Sequence, residues 1–207
     1  MSAEVRKHPG INLGAAHPDA HDAAEEVVFG FWVFLMSDLV LFGLLFATYV
    51  TMVGATAGGP GPKDLFDIKS AGIETLVLLT SSFTFGMASL ALKYGRHRLR
   101  LLFWLAVTLI LGVIFLAFEV HDFMTMFGKG GVPSRSGFLS AFFALVPTHG
   151  LHVTAGSIWI VIMMIQVVTF GIDTRVKTRI LRLGLFWHFL DIVWVGIFSV
   201  VYLTGLA

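Results

Sequence analysis

The sequence predicts an all-α membrane bundle of five transmembrane helices, and three observations carry that prediction. Hydrophobic residues fill 57% of the 207 positions and charged residues only 13%, about half the charged share of a water-soluble domain. The mean hydropathy is +0.86. The apolar residues gather into five runs of roughly 20 residues or more, the length a helix needs to cross the hydrocarbon. Within the runs they do not alternate with polar residues, which excludes barrel strands and leaves helices as the elements that satisfy their own backbone groups in lipid.

Taken in order, residues 1–27 are polar, with Arg6, Lys7, His8, His17, His21 and five acids. They read as a flexible arm and lack the early apolar core of a cleavable signal peptide. Solvation is the ordinary fate of the three arm histidines. The membrane domain then occupies residues 28–207. Its helices are expected at about Val28–Val53, Gly72–Tyr94, Leu101–Asp122, Gly137–Phe170 and Ile180–Thr204. Two Gly/Pro turn segments, "GATAGGPGPKD" and "GKGGVPSRSG", separate the first run from the second and the third from the fourth, and both are loops rather than domain linkers.

Ten of the fourteen Lys and Arg residues lie in the arm and in the segments Lys93–Arg100 and Gly171–Arg182. By the positive-inside rule the N-terminus is cytoplasmic and the C-terminus periplasmic. Trp32, Trp104 and Trp187, with Tyr49, Tyr94 and Tyr202, sit where interfacial aromatic anchors are expected. Cysteine is absent, which excludes disulfides, thiolate metal sites and cysteine nucleophiles. The net charge of +1 gives no sign of a nucleic-acid partner, and none is expected. No phosphate loop, nucleophile elbow or zinc-protease motif occurs, and no catalytic residue is assigned.

Against this apolar background a few polar residues stand out. Asp38 lies in the first run, and Glu74 opens the second. Glu119, His121 and Asp122 close the third, where an outer-interface cluster solvated by water and headgroups is expected. The fourth run carries His149 and His152, and the fifth carries His188 and Asp191. Asp38, His149 and His152 fall roughly 15–20 Å from a helix end, near mid-bilayer. Exposing a charged Asp to lipid there costs at least about 2.5 kcal/mol, so these groups face other helices, water or one another. His149/His152 and His188/Asp191 are each spaced i, i+3, so each pair projects from one helix face. Pro147 withdraws a helix amide just before the first pair and can kink the helix there. Spacing alone leaves four readings open: a metal site of two His plus carboxylates, a bis-histidine haem, a proton relay, or a hydrogen-bond network that pins helix registers. In "SSFTFGMAS" the stripe Ser82, Gly86, Ser89 predicts close helix packing.

The motifs "THGLHVTAGSIW" and "LFWHFLDIVWVGIFSVVYLTG" resemble the signature of subunit III of the haem-copper respiratory oxidases. "FGFWVFLMSDLVLFGLLFATY", "GGPGPKDLF" and "PSRSGFLSAFFALV" extend the likeness over nearly the whole chain after residue 27. The five-helix form most resembles the cytochrome bo type ubiquinol oxidase branch. The cytochrome c oxidase version has seven helices and a glutamate where Asp38 stands. The resemblance implies an accessory, redox-silent subunit of a proton-pumping quinol oxidase in the bacterial inner membrane. Haems and copper would belong to subunit I, and subunit II and a small subunit IV would be further partners. It implies no metal here, so Asp38, His149, His152, His188 and Asp191 would form an intramembrane polar network. It also implies a phospholipid-holding cleft between the first two helices and the other three, near Trp32, Asp38 and Glu74. The rivals are a small proton-coupled transporter, which would use the same midplane acids and histidines, and a free-standing haem or metal-binding membrane protein.

Overall fold

In the computed structural model the protein is described over residues 18–94 and 98–206; residues 18–23, 94 and 206 contribute backbone only. The arm histidines His8 and His17 lie outside the described residues, as does the His21 side chain. The described elements are α1 (Pro18–Met52), a one-turn α2 (Pro62–Leu65), α3 (Ile68–Tyr94) and α4 (Arg98–Gly128). A 3-10 turn (Pro133–Arg135) precedes α5 (Gly137–Phe170). The chain ends with α6 (Thr174–Ile197), a π-helical turn (Phe198–Leu203) and a short α7 (Thr204–Leu206). No strand occurs among the described residues.

Five segments are long and apolar enough to span a membrane: Ala24–Met52, Ile68–Lys93, Arg98–Gly128, Gly137–Phe170 and Thr174–Leu203. The shortest, 26 residues, is about 39 Å long at 1.5 Å per residue, against roughly 30 Å of hydrocarbon. The helices outrun the apolar runs at most ends. α1 is already helical at Pro18, so residues 18–27 are helix rather than the arm expected from composition. α4 continues six residues beyond Asp122, and α6 starts at Thr174. Hydropathy marks where lipid begins, whereas backbone hydrogen bonding carries a helix on into the interface.

α3 and α4 form an antiparallel pair. α6 packs between α3 and α5, α4 packs on α5, and α1 lies against α5 and α6. The first two spans therefore do not stand together against the other three, as the cleft expectation required; α1 and α3 sit on opposite sides of the α5–α6 pair.

Trp187 of α6 holds the centre of this packing. Its ring is 1% exposed and lies between Gly112 of α4 and Gly156 of α5, where an added Cβ would come within 2.9 and 3.1 Å of ring carbons. Its Nε1–H donates to Ser81 Oγ of α3 at 2.9 Å. One side chain thus ties four helices, and the two glycines let the backbones approach it closely. The residue predicted as an interfacial anchor is a core residue. Tyr49 and Tyr202 are likewise buried, at 1% and 2% exposure, while Trp32 stays on the surface at 49%. The fully buried stripe of α3 is not Ser82–Gly86–Ser89 either, although Ser82 bonds α6 through its hydroxyl. It is Ser81, Thr84, Phe85 and Ala88, with Thr84 hydroxyl bonded to Thr108 of α4 at 2.8 Å, whereas nothing lies within 4 Å of a Cβ placed on Gly86.

Candidate functional site: three intramembrane polar clusters

The first cluster joins α1 to α5. His152 Nδ1–H donates to the Thr148 carbonyl one turn back, at 2.7 Å. A carbonyl only accepts, so that nitrogen must carry a hydrogen, and in the neutral ring Nε2 is then the bare one. Nε2 stands 3.2 Å from Asp38 Oδ2. Between a bare nitrogen and a carboxylate the contact is repulsive; it is attractive only when one proton is shared across it, as imidazolium–carboxylate or as imidazole–carboxylic acid. The pair touches at ion-pair distance, but Oδ2 makes no aligned hydrogen bond. Both groups are partly exposed, at 25% and 13%.

His149, one turn away on α5, is fully buried, and neither ring nitrogen has a hydrogen-bond partner among the described residues. Rings surround it instead: Phe42 at 6.4 Å, Phe115 at 5.9 Å and Trp194 at 5.4 Å. His152 meets rings as well, Phe42 at 5.2 Å and Phe186 at 6.3 Å, so the two histidines of one motif differ in polar contacts, which His152 has and His149 lacks among the described residues.

The second cluster joins α3 to α6. Ser82 Oγ and His188 Nδ1 share a hydrogen bond of 2.8 Å, and the same nitrogen is 3.6 Å from Asp191 Oδ2. Among the described residues neither Asp191 oxygen has an aligned hydrogen-bond partner. No hydrogen bond or ion pair among the described residues joins this cluster to Asp38 and His152, so the five polar residues form two helix-to-helix locks plus the ring-packed His149.

The third cluster lies between α3, α4 and α5. Glu74 is 1% exposed and Glu119 4%, each with an Oε1 that has no hydrogen-bond partner among the described residues. Glu74 lies within electrostatic range of Glu119 and Asp122. Gly150 makes room for Glu119: a Cβ there would come 2.7 Å from both carboxyl oxygens. Two facts correct the sequence expectation. Glu119 is buried in the bundle, because α4 runs six residues further than the apolar run suggested. Glu74 faces α4 rather than a cleft beside Asp38. The outer cluster splits accordingly: His121 is exposed and Asp122 Oδ1 accepts from Ser70 Oγ at 3.0 Å. The bond from Trp194 Nε1–H to Thr75 Oγ1, 3.1 Å, borders this cluster. Sequence reasoning did not find it, nor Ser81–Trp187 or Thr84–Thr108, because helix Ser and Thr look alike whether or not a neighbouring helix offers a partner.

The donors do not converge on a metal or a macrocycle. Both His152 nitrogens are engaged, His188 Nδ1 is held by Ser82, and the His149 ring is walled by aromatics. Among the described residues no group of three or more His, Asp or Glu is disposed to hold a metal ion.

Fold and clusters together define a polytopic α-helical membrane protein whose intramembrane acids and histidines lie at helix–helix contacts. The chain belongs to the cytochrome c oxidase subunit III family, whose model matches residues 12–206. It is 52% identical over 185 residues to a cytochrome bo(3) ubiquinol oxidase subunit 3 of Pseudomonas putida, covering 89% of each chain. It is 48% identical over 206 residues to the protein of that description from Pseudomonas aeruginosa, covering 99% of this chain and 98% of that one. A quinol oxidase subunit 3 of Bacillus subtilis is 41% identical, over 86% of this chain and 87% of its own length.

Proposed function

We propose that this chain is an integral accessory subunit of a terminal quinol oxidase in the bacterial inner membrane. The observation that carries the reading is end-to-end similarity to ubiquinol oxidase subunit 3 proteins, up to 52% identity, on a chain with five membrane-spanning helices. The whole complex would oxidise ubiquinol, reduce oxygen to water and move protons outward. Haems and copper would reside in subunit I, with subunit II and a small subunit IV completing the assembly, and this chain would add no ligand to them. The dispersed histidine donors described above support that division of labour.

The chain's own residues would act by position. Asp38–His152 and Ser82–His188–Asp191 fix the register of α1 on α5 and of α3 on α6. The Asp38–His152 pair, partly exposed near mid-span, suits a supporting role in proton supply to subunit I. Retention of phospholipid against the bundle is a further proposed role. The N-terminus would be cytoplasmic and the C-terminus periplasmic. The transporter reading finds less support, since no inverted repeat or broken-helix pair is visible.

The test is co-purification. Membranes carrying the tagged chain are solubilised mildly and the chain is isolated. A larger haem-bearing subunit with oxygen-dependent quinol oxidation is expected to accompany it; a chain that comes away alone, with transport activity or its own Soret band, contradicts the reading.

A further inference from the structure

Where the loop after α2 enters α3 beside the last turns of α4, a cavity of about 380 Å³ opens at the edge of the bundle. Its lining combines two cations, Lys69 and Lys129, two acids, Asp67 and Asp122, and an apolar wall that includes Ile73 and Phe118. Three contacts pre-position the polar groups. Ser70 Oγ–H donates to Asp122 Oδ1, Asp67 Oδ1 accepts the Lys69 amide at 2.9 Å, and Lys129 Nζ donates to the Asp64 carbonyl at 3.2 Å, leaving it two further N–H donors. Neither lysine ammonium is in an ion pair with a carboxylate among the described residues.

The apolar side of the cavity does not end at its rim. Ile73 and Leu76 on α3, spaced i, i+3, are 49% and 67% exposed. Phe118, Ile114 and Ile110 on α4, spaced by four, are 36%, 38% and 58% exposed. Each set continues along one helix face from the cavity toward the middle of the span. The cavity therefore presents both signs of charge at a membrane edge and an apolar track leading inward.

We propose that this cavity binds the headgroup of a phospholipid bearing a phosphate and a primary ammonium, the phosphate between Lys69 and Lys129, the ammonium on Asp67 and Asp122, and an acyl chain along Ile73/Leu76 and Phe118/Ile114. A primary ammonium supplies three N–H donors to the carboxylates. A quaternary ammonium supplies none, and the lining offers only two rings, Phe118 and His121, too few for an aromatic cage to compensate. A glycerol headgroup brings no positive charge to the acids. The proposal deepens the lipid-retaining part of the proposed function and does not rest on the oxidase assignment.

The test is native mass spectrometry of the mildly solubilised complex, comparing wild type with Lys69→Gln/Lys129→Gln. The same spectrum reports first whether the haem-bearing subunit is present, which tests the oxidase reading, and then which lipids remain bound. The wild-type complex is expected to hold phosphatidylethanolamine that the variant retains roughly tenfold more weakly, as for loss of a charge-assisted hydrogen bond. Asp67→Asn/Asp122→Asn should lose the preference for phosphatidylethanolamine over phosphatidylglycerol while still binding lipid. Equal retention in wild type and the lysine variant, a wild-type preference for phosphatidylglycerol, or an adduct of inorganic phosphate mass alone overturns the proposal. If the variants do not assemble, a photoreactive phosphatidylethanolamine added to wild type decides. Label on peptides covering residues 65–73 or 118–129 supports the site, and label confined to other helices overturns it.

Discussion

Asp38 and His152 show how little freedom one backbone contact leaves a side chain. Once Thr148 takes the Nδ1 hydrogen, only Nε2 is left to meet Asp38, 3.2 Å away. Removing the acid frees a nitrogen to face a partly apolar contact, so Asp38→Ala is expected to weaken the α1–α5 contact by on the order of 1–3 kcal/mol. It should be read as a lower thermal midpoint and poorer assembly of the complex. Asp38→Asn, whose amide can donate to Nε2 without a shared proton, should recover most of that loss. His149 is the internal control. With no hydrogen-bond partner among the described residues and Phe42, Phe115 and Trp194 beside it, His149→Leu nearly conserves volume and should cost less than about 1.5 kcal/mol, while His152→Leu should behave like Asp38→Ala. Equal effects at the two histidines would contradict the assignment of polar work to His152 alone. The i, i+3 spacing made the pair visible in the sequence. It could not show the difference, because which face of α5 meets Asp38 and which meets Trp194 depends on how α1 and α6 pack.

At the scale of elements, the five spans were legible because lipid imposes apolar length on any helix that crosses it, and the loops because Gly and Pro interrupt those runs. What stayed hidden was packing partnership. In a bilayer apolar residues face both lipid and neighbour, so hydropathy does not mark the buried stripe of α3, and Ser81–Thr84–Phe85–Ala88 looked no different from Ser82–Gly86–Ser89. Glu119 was misplaced for a related reason. Its acidic neighbourhood resembles a helix end, whereas α4 continues to Gly128 and Gly150 opens a berth for the carboxyl. The central joint at Trp187 gives an element-scale prediction. Gly156→Val adds volume where a Cβ already meets the indole at 3.1 Å, and overpacking of that kind costs about 1–3 kcal/mol. Trp187→Phe keeps most of the packing and loses the bond to Ser81, a loss of about 1 kcal/mol. Thermal unfolding in detergent, followed by tryptophan fluorescence, is expected to rank Gly156→Val below Trp187→Phe and both below wild type. A Gly156→Val protein as stable as wild type would mean that α5 and α6 do not meet as described.

At the scale of the whole molecule, Lys and Arg gather on one side of the five spans, at residues 93–100 and 171–182. A membrane-impermeant thiol reagent applied to spheroplasts is accordingly expected to label a cysteine added after Ala207 and to spare one at Lys177; the reverse pattern would invert the topology. The central claim is that this chain serves a redox complex without holding a redox centre. The measurement that tests it most directly compares the complex with and without the chain, recording the haem spectrum, the initial rate of quinol oxidation and the decay of that rate during sustained turnover. A nearly unchanged haem spectrum, a substantial initial rate and a faster decay are expected once the chain is gone. A haem spectrum that collapses while the remaining subunits stay folded and associated would show that this chain supplies a ligand, and would contradict the account.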